Sequence, residues 1–348
     1  VFGLSGGGMA ISNGLSDFVF MEKDSAKVFV NSPNAIAGNS QDKNDYSSAK
    51  FQAEETGLAD FIGTESEIIT GVRELISLLP ANNEDDMSYM ECSDDLNRVT
   101  PELEAGIKDP AVAAKIISDS FYLLEVKKNF AKEMFTGFIR LNGNTVGVIA
   151  NRRTLFDENG ETLQEFDNVL SHQGSDKAAE FIDFCDAFNI PLLTLVDVKG
   201  YKATKCTEKR IPKAGARLTY AFANATVPKV TLIVGDAIGS AAISMNSKSI
   251  GADMVFAWES AKMGMMNASE AVKIMYSKEI DTSSDAVATI EEKTKEYENL
   301  QNSVVYAARR GYVDDIITVA DTRKRVLAAF EMLFTKREEN PYKKHGSF

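Results

Sequence analysis

Residues 6–12 read GGGMAIS and residues 239–244 read GSAAIS. The residues after each glycine turn also match: Asp17-Phe18-Val19-Phe20-Met21 and then Ser25-Ala26-Lys27 after the first, Asp253-Met254-Val255-Phe256-Ala257 and then Ser260-Ala261-Lys262 after the second. Agreement of this length and order marks an internal repeat of one structural unit. Strand and helix patterning runs back from the second turn to Phe135, roughly 100 residues, so a first unit of the same build would have roughly 100 residues outside this sequence.

Around the second turn, apolar runs alternate with helical patterns. Residues 145–150 and 191–198 read as strands, with a helix over 176–189 between them that places Ala178, Phe181, Ile182, Cys185 and Phe188 on one face. A helix over 214–226, a strand over 229–234, a helix over 239–250 opened by the glycine turn, and a strand over 254–258 come next. Strands that are apolar throughout belong in a sheet covered by helices on both faces, which gives an α/β fold. A long polar-faced helix is expected over 285–310, where Arg309-Arg310 meet a glycine stop at Gly311, and a final helix over about 321–336. The acidic stretch 80–110, bounded by Pro80 and Pro110, reads as the linker, and the tail Lys343-Lys344-His345-Gly346 as unstructured. The expected units are residues 1–105, the second half of a first domain plus linker, and 106–348, a second domain.

The 348 residues, 44% hydrophobic and 26% charged, suit two packed domains. Cys92, Cys185 and Cys206 have neither metal-ligand spacing nor an even number for disulfides, which points to a reducing compartment and the cytoplasm. A net charge of −13 argues against a nucleic-acid surface, although the basic stretch from Lys199 to Arg217 suits phosphates. No apolar run reaches the length of a membrane span, and no charged-then-apolar leader opens the sequence. The glycines fit neither the phosphate loop nor the dinucleotide fingerprint, so ATP and NAD are not implied.

Where a glycine turn opens a helix, backbone N–H groups lack intrahelical acceptors, and the missing side chain lets a ligand oxygen approach. Aimed at a carbonyl that gains negative charge during reaction, such donors form an oxyanion hole. Two turns provide two holes.

The stretches Phe135 to Gly143, Ser175 to Ala179, Phe184 to Pro191, Leu195 to Val198, Tyr220 to Phe222, Ala225 to Val230 and Leu327 to Met332, with the closing Lys343 to Gly346, resemble the carboxyltransferase β-subunits of biotin-dependent acyl-CoA carboxylases. The resemblance covers nearly the whole chain and implies two crotonase-type domains, the first truncated at its N-terminus, with an active site shared between subunits of a homo-oligomer, a hexamer in this family. It implies that Gly7 and Gly8 hold the thioester oxygen of an acyl-CoA as it becomes an enolate. Gly239, Ser240 and Ala241 would hold the ureido oxygen of biotin, with Ala214 and Gly215 beside them. Decarboxylated biotin would take the α-proton itself, so no side-chain base and no metal are implied. Ile243 occupies the place of the acyl-chain selector, and Gly200 and Tyr201 are pocket candidates. The implied partners are a biotin carboxylase and a biotin carrier on other chains.

Several positions depart from the family pattern: Lys199-Gly200-Tyr201 replaces Pro-Gly-Phe, Ser240 replaces a glycine, Ala214 a histidine, and Thr56-Gly57-Leu58-Ala59-Asp60 a Ser-Gly-Val-Ala-His. His172 and His345 are read as a loop and a tail residue without catalytic duty, and Cys206 as a bystander in the basic loop. Ala261-Lys262-Met263 superficially suggests a biotinylation site, but Lys27 takes the same place in the first copy, so Lys262 is read as a strand-turn residue. Two further readings accompany the carboxylase: the transferase subunit of a sodium-pumping acyl-CoA decarboxylase, and a non-catalytic partner subunit that keeps the fold.

Overall fold

The structure, a computed structural model, describes residues 1–85 and 88–340. The tail with His345 lies outside the described residues. The first unit comprises β1 (Leu4–Gly6), α1 (Gly8–Asn13), β2 (Phe20–Glu22), β3 (Lys27–Phe29), β4 (Phe61–Gly63) and α2 (Glu65–Leu78). β1 pairs in parallel with β3, and β2 with β4, over a small core of Ala10, Val19, Met21, Ala26 and Val28. α2 starts at a reciprocal cap, in which Thr64 accepts the Glu67 N–H while the Glu67 carboxylate accepts the Thr64 N–H.

The second unit continues with α3 (Pro110–Ile117), β5 (Leu124–Glu125), β6 (Met134–Leu141), β7 (Asn144–Asn151), the hairpin β8 (Thr154–Phe156) and β9 (Thr162–Glu165), α4 (His172–Ala187), β10 (Leu192–Val198) and α5 (Ile211–Asn224). It ends with β11 (Lys229–Ile238), α6 (Gly239–Ser244), β12 (Met254–Trp258), β13 (Lys262–Gly264), α7 (Ala268–Met275), α8 (Ala286–Gln301), α9 (Val304–Arg309), β14 (Asp315–Ile317) and α10 (Thr322–Leu333). The main sheet has the order β14-β12-β11-β10-β7-β6-β5, with β13 also on β11. It is parallel from β14 to β7 and antiparallel from β7 to β5, because Asn142 and Gly143, both at positive φ, close a two-residue hairpin between β6 and β7. Along β10, Leu192, Val196 and Val198 join the core under α4 and α5, while Leu193 and Leu195 face the opposite layer with α3 and α10. Both faces are buried, which is why the strand is apolar throughout.

The repeat is present in the backbone. Leu4 pairs with Lys27 and Gly6 with Phe29 in the first copy; Asp236 pairs with Lys262 and Ile238 with Gly264 in the second. Lys27 bridges to Ser48, and Lys262 to Ser303. The Asp60 carboxylate accepts the Val19 N–H at 2.7 Å, and the Asp314 carboxylate accepts the Val255 N–H at 2.7 Å. Three residues before each aspartate stands a glycine at positive φ, Gly57 and Gly311. This Gly-x-x-Asp echo is visible in the sequence, although the glycine turns alone suffice to find the repeat.

Three expectations need correction. The helix expected over 285–310 breaks at Asn302 and Ser303, since the Asn302 carbonyl accepts the Met263 N–H at 3.0 Å and Ser303 bridges to Lys262, so β13 gains an outer partner at the expense of the helix. The glycine-led helix is only six residues long, and Asn246 at φ 56° comes after it, before a separate short turn at Lys248–Ile250. His172 is not in a solvated loop: Ser171 caps α4 by accepting the Gly174 N–H, which places His172 in the first turn and buries it. Within the expected linker, Asp94 pairs with Arg98 and the fully buried Arg323, and Asp109 with the buried Arg152.

The two units meet at a buried charge cluster. Lys127 Nζ lies 3.5 Å from Asp60 and 3.1 Å from Glu180 and donates to the Gly57 carbonyl at 2.6 Å. The Phe130 ring packs on Gly57, where any Cβ would stand 2.7 Å from it. Burial lifts the Asp60 carboxyl to about 6 against the pull of Lys127. Nearby, Lys177 Nζ donates to the carbonyls of Lys127, Phe130 and Met134, while burial lowers it to about 7.

Candidate active site

Gly7 has φ 60° and ψ −127°, a conformation that penalises any side chain, and Gly239 has φ 67°. The Gly7 N–H donates to the Phe29 carbonyl at 2.9 Å, which closes the turn onto β3. No side chain caps α1 or α6, so the first N–H groups of both helices have no side-chain acceptor. A Cβ built on Gly7 or Gly8 would meet nothing within 4 Å, and one on Gly239 would meet only the Met265 carbonyl at 3.3 Å. Both turns therefore offer open space beside backbone donors, the arrangement that an anionic oxygen needs.

The copies also share a back-bond, Ser12 Oγ to the Gly8 carbonyl at 3.3 Å and Ser244 Oγ to the Ser240 carbonyl at 3.2 Å. In the second copy Ser244 is further tied to the Tyr201 hydroxyl at 3.1 Å and to Thr219 at 3.0 Å. Tyr201 lies over Gly215, with 3.8 Å between the ring and a Cβ placed there. Ala214 is buried one residue earlier in α5. The sequence candidates around Tyr201 and Gly215 thus gather on one side of α6.

On its other side, α6 lines a cleft of about 500 Å³ together with Met263, Met265, Tyr306 and Tyr312. Gly239, Ser240 and Ile243 face this cleft; Gly200, Tyr201, Ala214 and Gly215 do not line it. Ala241, buried, faces the core. Ile243 is 43% exposed and its counterpart Ile11 is 59% exposed, so neither is a core residue. The cleft walls from β13 and α9 were not among the sequence candidates, because methionine and tyrosine on separate elements form no local motif.

Cys206 is exposed, and Lys262, in β13, pairs with Glu298 at 3.0 Å. Lys202, Lys205, Lys209, Arg210 and Lys213 are all exposed and have no ion pair among the described residues. Apolar side chains stand out at both turns: Met9, Ile11 and Leu15 at the first, Met265 and Ile243 at the second.

A helix-covered sheet with twin glycine turns that present uncapped donors is the architecture of the crotonase-like fold. The chain belongs to the carboxyl transferase domain family, whose model matches residues 1–348. It is 38% identical to the methylmalonyl-CoA decarboxylase subunit alpha of Propionigenium modestum and 39% identical to a putative propionyl-CoA carboxylase beta chain of Bacillus subtilis, in both cases over the whole chain and 68% of the relative. Among solved structures, the transcarboxylase 12S hexamer with methylmalonyl-coenzyme A and methylmalonic acid bound matches with a TM-score of 0.90 and 36% identity, over 99% of this chain and 66% of that one. The chain thus spans about two thirds of the length of these relatives. It is a carboxyltransferase of the biotin-dependent acyl-CoA carboxylase and decarboxylase family. No helix among the described residues is long and apolar enough to cross a membrane.

Proposed function

We propose that this chain moves a carboxyl group between carboxybiotin, carried on a separate chain, and the α-carbon of a short-chain acyl-CoA by way of an enolate. The observation that carries this reading is the recurrence of one uncapped glycine turn in equivalent registers of two units. A carboxyl transfer passes through two oxyanions, one on the thioester and one on the ureido group, and each turn serves one of them. At the first turn the Gly7 N–H is spent on the Phe29 carbonyl, so Gly7 shapes the turn while the N–H groups that follow it, from Gly8 on, receive the thioester oxygen, and the donors of Gly239, Ser240 and Ala241 receive the ureido oxygen. Biotin supplies the carboxyl carrier and the basic ureido group; the open space at Gly239 is consistent with a planar ring there, with Ser240 at its rim. Tyr201, fixed through Ser244, shapes the opposite side of α6 with Gly200, Ala214 and Gly215. Ile243 touches the acyl group, and an apolar side chain there suits a different or broader acyl range that includes acetyl or butyryl.

The unpaired cations from Lys202 to Lys213 meet the phosphates of coenzyme A. The apolar rims of both turns are closed by a second copy of the chain in a hexamer, and the partners are a biotin carboxylase and a biotin carrier. The first unit is the second half of a domain like the second unit, and the compartment is the cytoplasm. The 38% identity to a methylmalonyl-CoA decarboxylase subunit favours a second direction of the same chemistry, in which a membrane partner consumes the carboxyl group.

The test is decarboxylation of malonyl-CoA and methylmalonyl-CoA by the assembled enzyme, with and without free biotin. Turnover that depends on biotin is the expected result. A folded protein that binds coenzyme A and turns over neither substrate would overturn the proposal.

A further inference from the structure

β11 changes partner midway. Its residues from Val230 to Ile233 pair with β12, and those from Asp236 to Ile238 pair with β13. Against β10 the register slips at the same place: Val196 lies opposite Ile233, but Val198 lies opposite Ala237, so the second strand carries two extra residues. The extra length is a bulge around Gly235 and Asp236, and a bulge bends its strand and re-aims the residues beyond it. Here the residue so aimed, three positions past Asp236, is Gly239.

The Asp197 carboxylate fills this bulge. Its Oδ1 accepts the Asp236 N–H at 2.8 Å, Asn168 Nδ2 at 2.9 Å and Arg153 Nη2 at 2.7 Å, while Arg153 Nε pairs with Oδ2. Arg153 Nη2 also reaches Asp236 Oδ2 at 3.2 Å, and Lys199 Nζ stands 3.6 Å from that oxygen. Residue 235 is glycine for a steric reason: a Cβ there would lie 2.4 Å from Asp197 Oδ1. In the first copy, the register that matches Leu4 to Asp236 places Gly3 at the position of Gly235.

Neither Arg153 nor Asp197 lines the cleft, and Asp197 has both oxygens engaged by donors. They are placed to hold backbone, not to touch substrate. We propose that Arg153 and Asp197 are positioning residues for the second oxyanion turn: their forked ion pair pins the β11 bulge that aims the N–H groups of Gly239, Ser240 and Ala241. A planar guanidinium suits this role because its fork fixes the carboxylate in one rotamer, which a lysine does not do. With an amide in place of the carboxylate, Oδ1 alone can still accept while Nδ2 confronts the Arg153 guanidinium, so the fork is lost and the bulge is free to slip toward regular pairing, which turns Gly239 away from the cleft.

This inference rests on the reading of the Gly239 turn as an oxyanion site, and the test separates the two. In the assembled enzyme, kcat and KM for biotin-dependent decarboxylation of malonyl-CoA are measured for wild type, Asp197→Asn, Arg153→Lys and Gly235→Ala, with thermal unfolding of each. Because a misplacement near 1 Å typically costs about 100-fold, kcat should fall roughly 10- to 100-fold in all three variants. KM for malonyl-CoA should stay within about twofold, since the thioester is held at the other turn, a separation between binding and turnover that is read as lost transition-state contacts. An active wild type whose folded variants keep full kcat overturns the inference alone, as does a loss in which KM rises in step with the fall in kcat. A wild type that is inactive overturns the reading beneath it. Should Asp197→Asn fail to fold, Arg153→Lys carries the same test, because it keeps the charge and removes only the fork.

Discussion

Replacing Gly239 by alanine perturbs the proposed second oxyanion site at a single Cβ. The native φ of 67° costs an L-residue about 1–2 kcal/mol, and the new methyl would stand 3.3 Å from the Met265 carbonyl, which adds to the pressure to move. If the turn keeps its conformation, the variant carries that strain and melts about 2–5 °C lower. If it relaxes to negative φ, strain is relieved but the N–H groups swing off the cleft, and losing one such donor costs about 3 kcal/mol, or about 100-fold in kcat. The crowding by Met265 favours the second course. We therefore expect Gly239→Ala to lose about 100-fold in biotin-dependent malonyl-CoA decarboxylation with a small change in melting temperature. Gly8→Ser is the matched control: its position lacks positive φ, has no neighbour within 4 Å of a Cβ, and carries serine in the second copy, so stability should change by less than about 1 kcal/mol. A folded Gly239→Ala enzyme with wild-type kcat would refute the assignment of the turn.

Further expectations concern charge and fit. The native state holds a proton on Asp60 up to about pH 6, whereas the unfolded chain releases it near pH 4, so stability should fall as pH rises through that window, by about 3 kcal/mol; Asp60→Asn should flatten this slope in urea titrations at fixed pH values. Lys177→Met takes the ammonium donor from three carbonyls, of which that of Lys127 keeps the Phe130 N–H, and should cost about 2 kcal/mol or more by the same titration. Reversing the charge at Lys205 and Lys209 together should raise KM for malonyl-CoA about tenfold at low salt, with the effect shrinking as salt is added. Ile243→Asp should change the ratio of kcat/KM between malonyl-CoA and methylmalonyl-CoA; an unchanged ratio would remove Ile243 from the acyl pocket.

The sheet was legible because its strands are buried on both faces, and a run such as Leu192–Val198 has no other economical reading. The twin turns were legible because positive φ demands glycine at the same place twice. What the sequence hid depends on distant pairing. Nothing local to residues 285–310 reveals that Asn302 must leave the helix to meet Met263, and nothing near His172 shows that Ser171 caps a helix that starts four residues before the expected 176. That Asp109 and Asp94 of the acidic stretch 80–110 find Arg152 and Arg323, far along the chain, leaves no local signal either. The cleft walls likewise come from β13 and α9, brought to α6 only by the fold.

The two copies differ in where the equivalent aspartate finds its cation. Asp314 draws on Lys248 of its own unit at 2.7 Å, whereas Asp60 relies on Lys127, which belongs to the other unit and sits beyond the linker. The duplicated modules are therefore not interchangeable cassettes. A chain cut between residues 105 and 106 would strand Asp60 without its counter-ion and Gly57 without the ring of Phe130, so dissection at the apparent boundary separates sequence but not structure. A workable excision of the first unit has to carry the segment through Phe130 with it, and a graft of the second unit's Gly-x-x-Asp turn into the first place would have to bring Lys248 along.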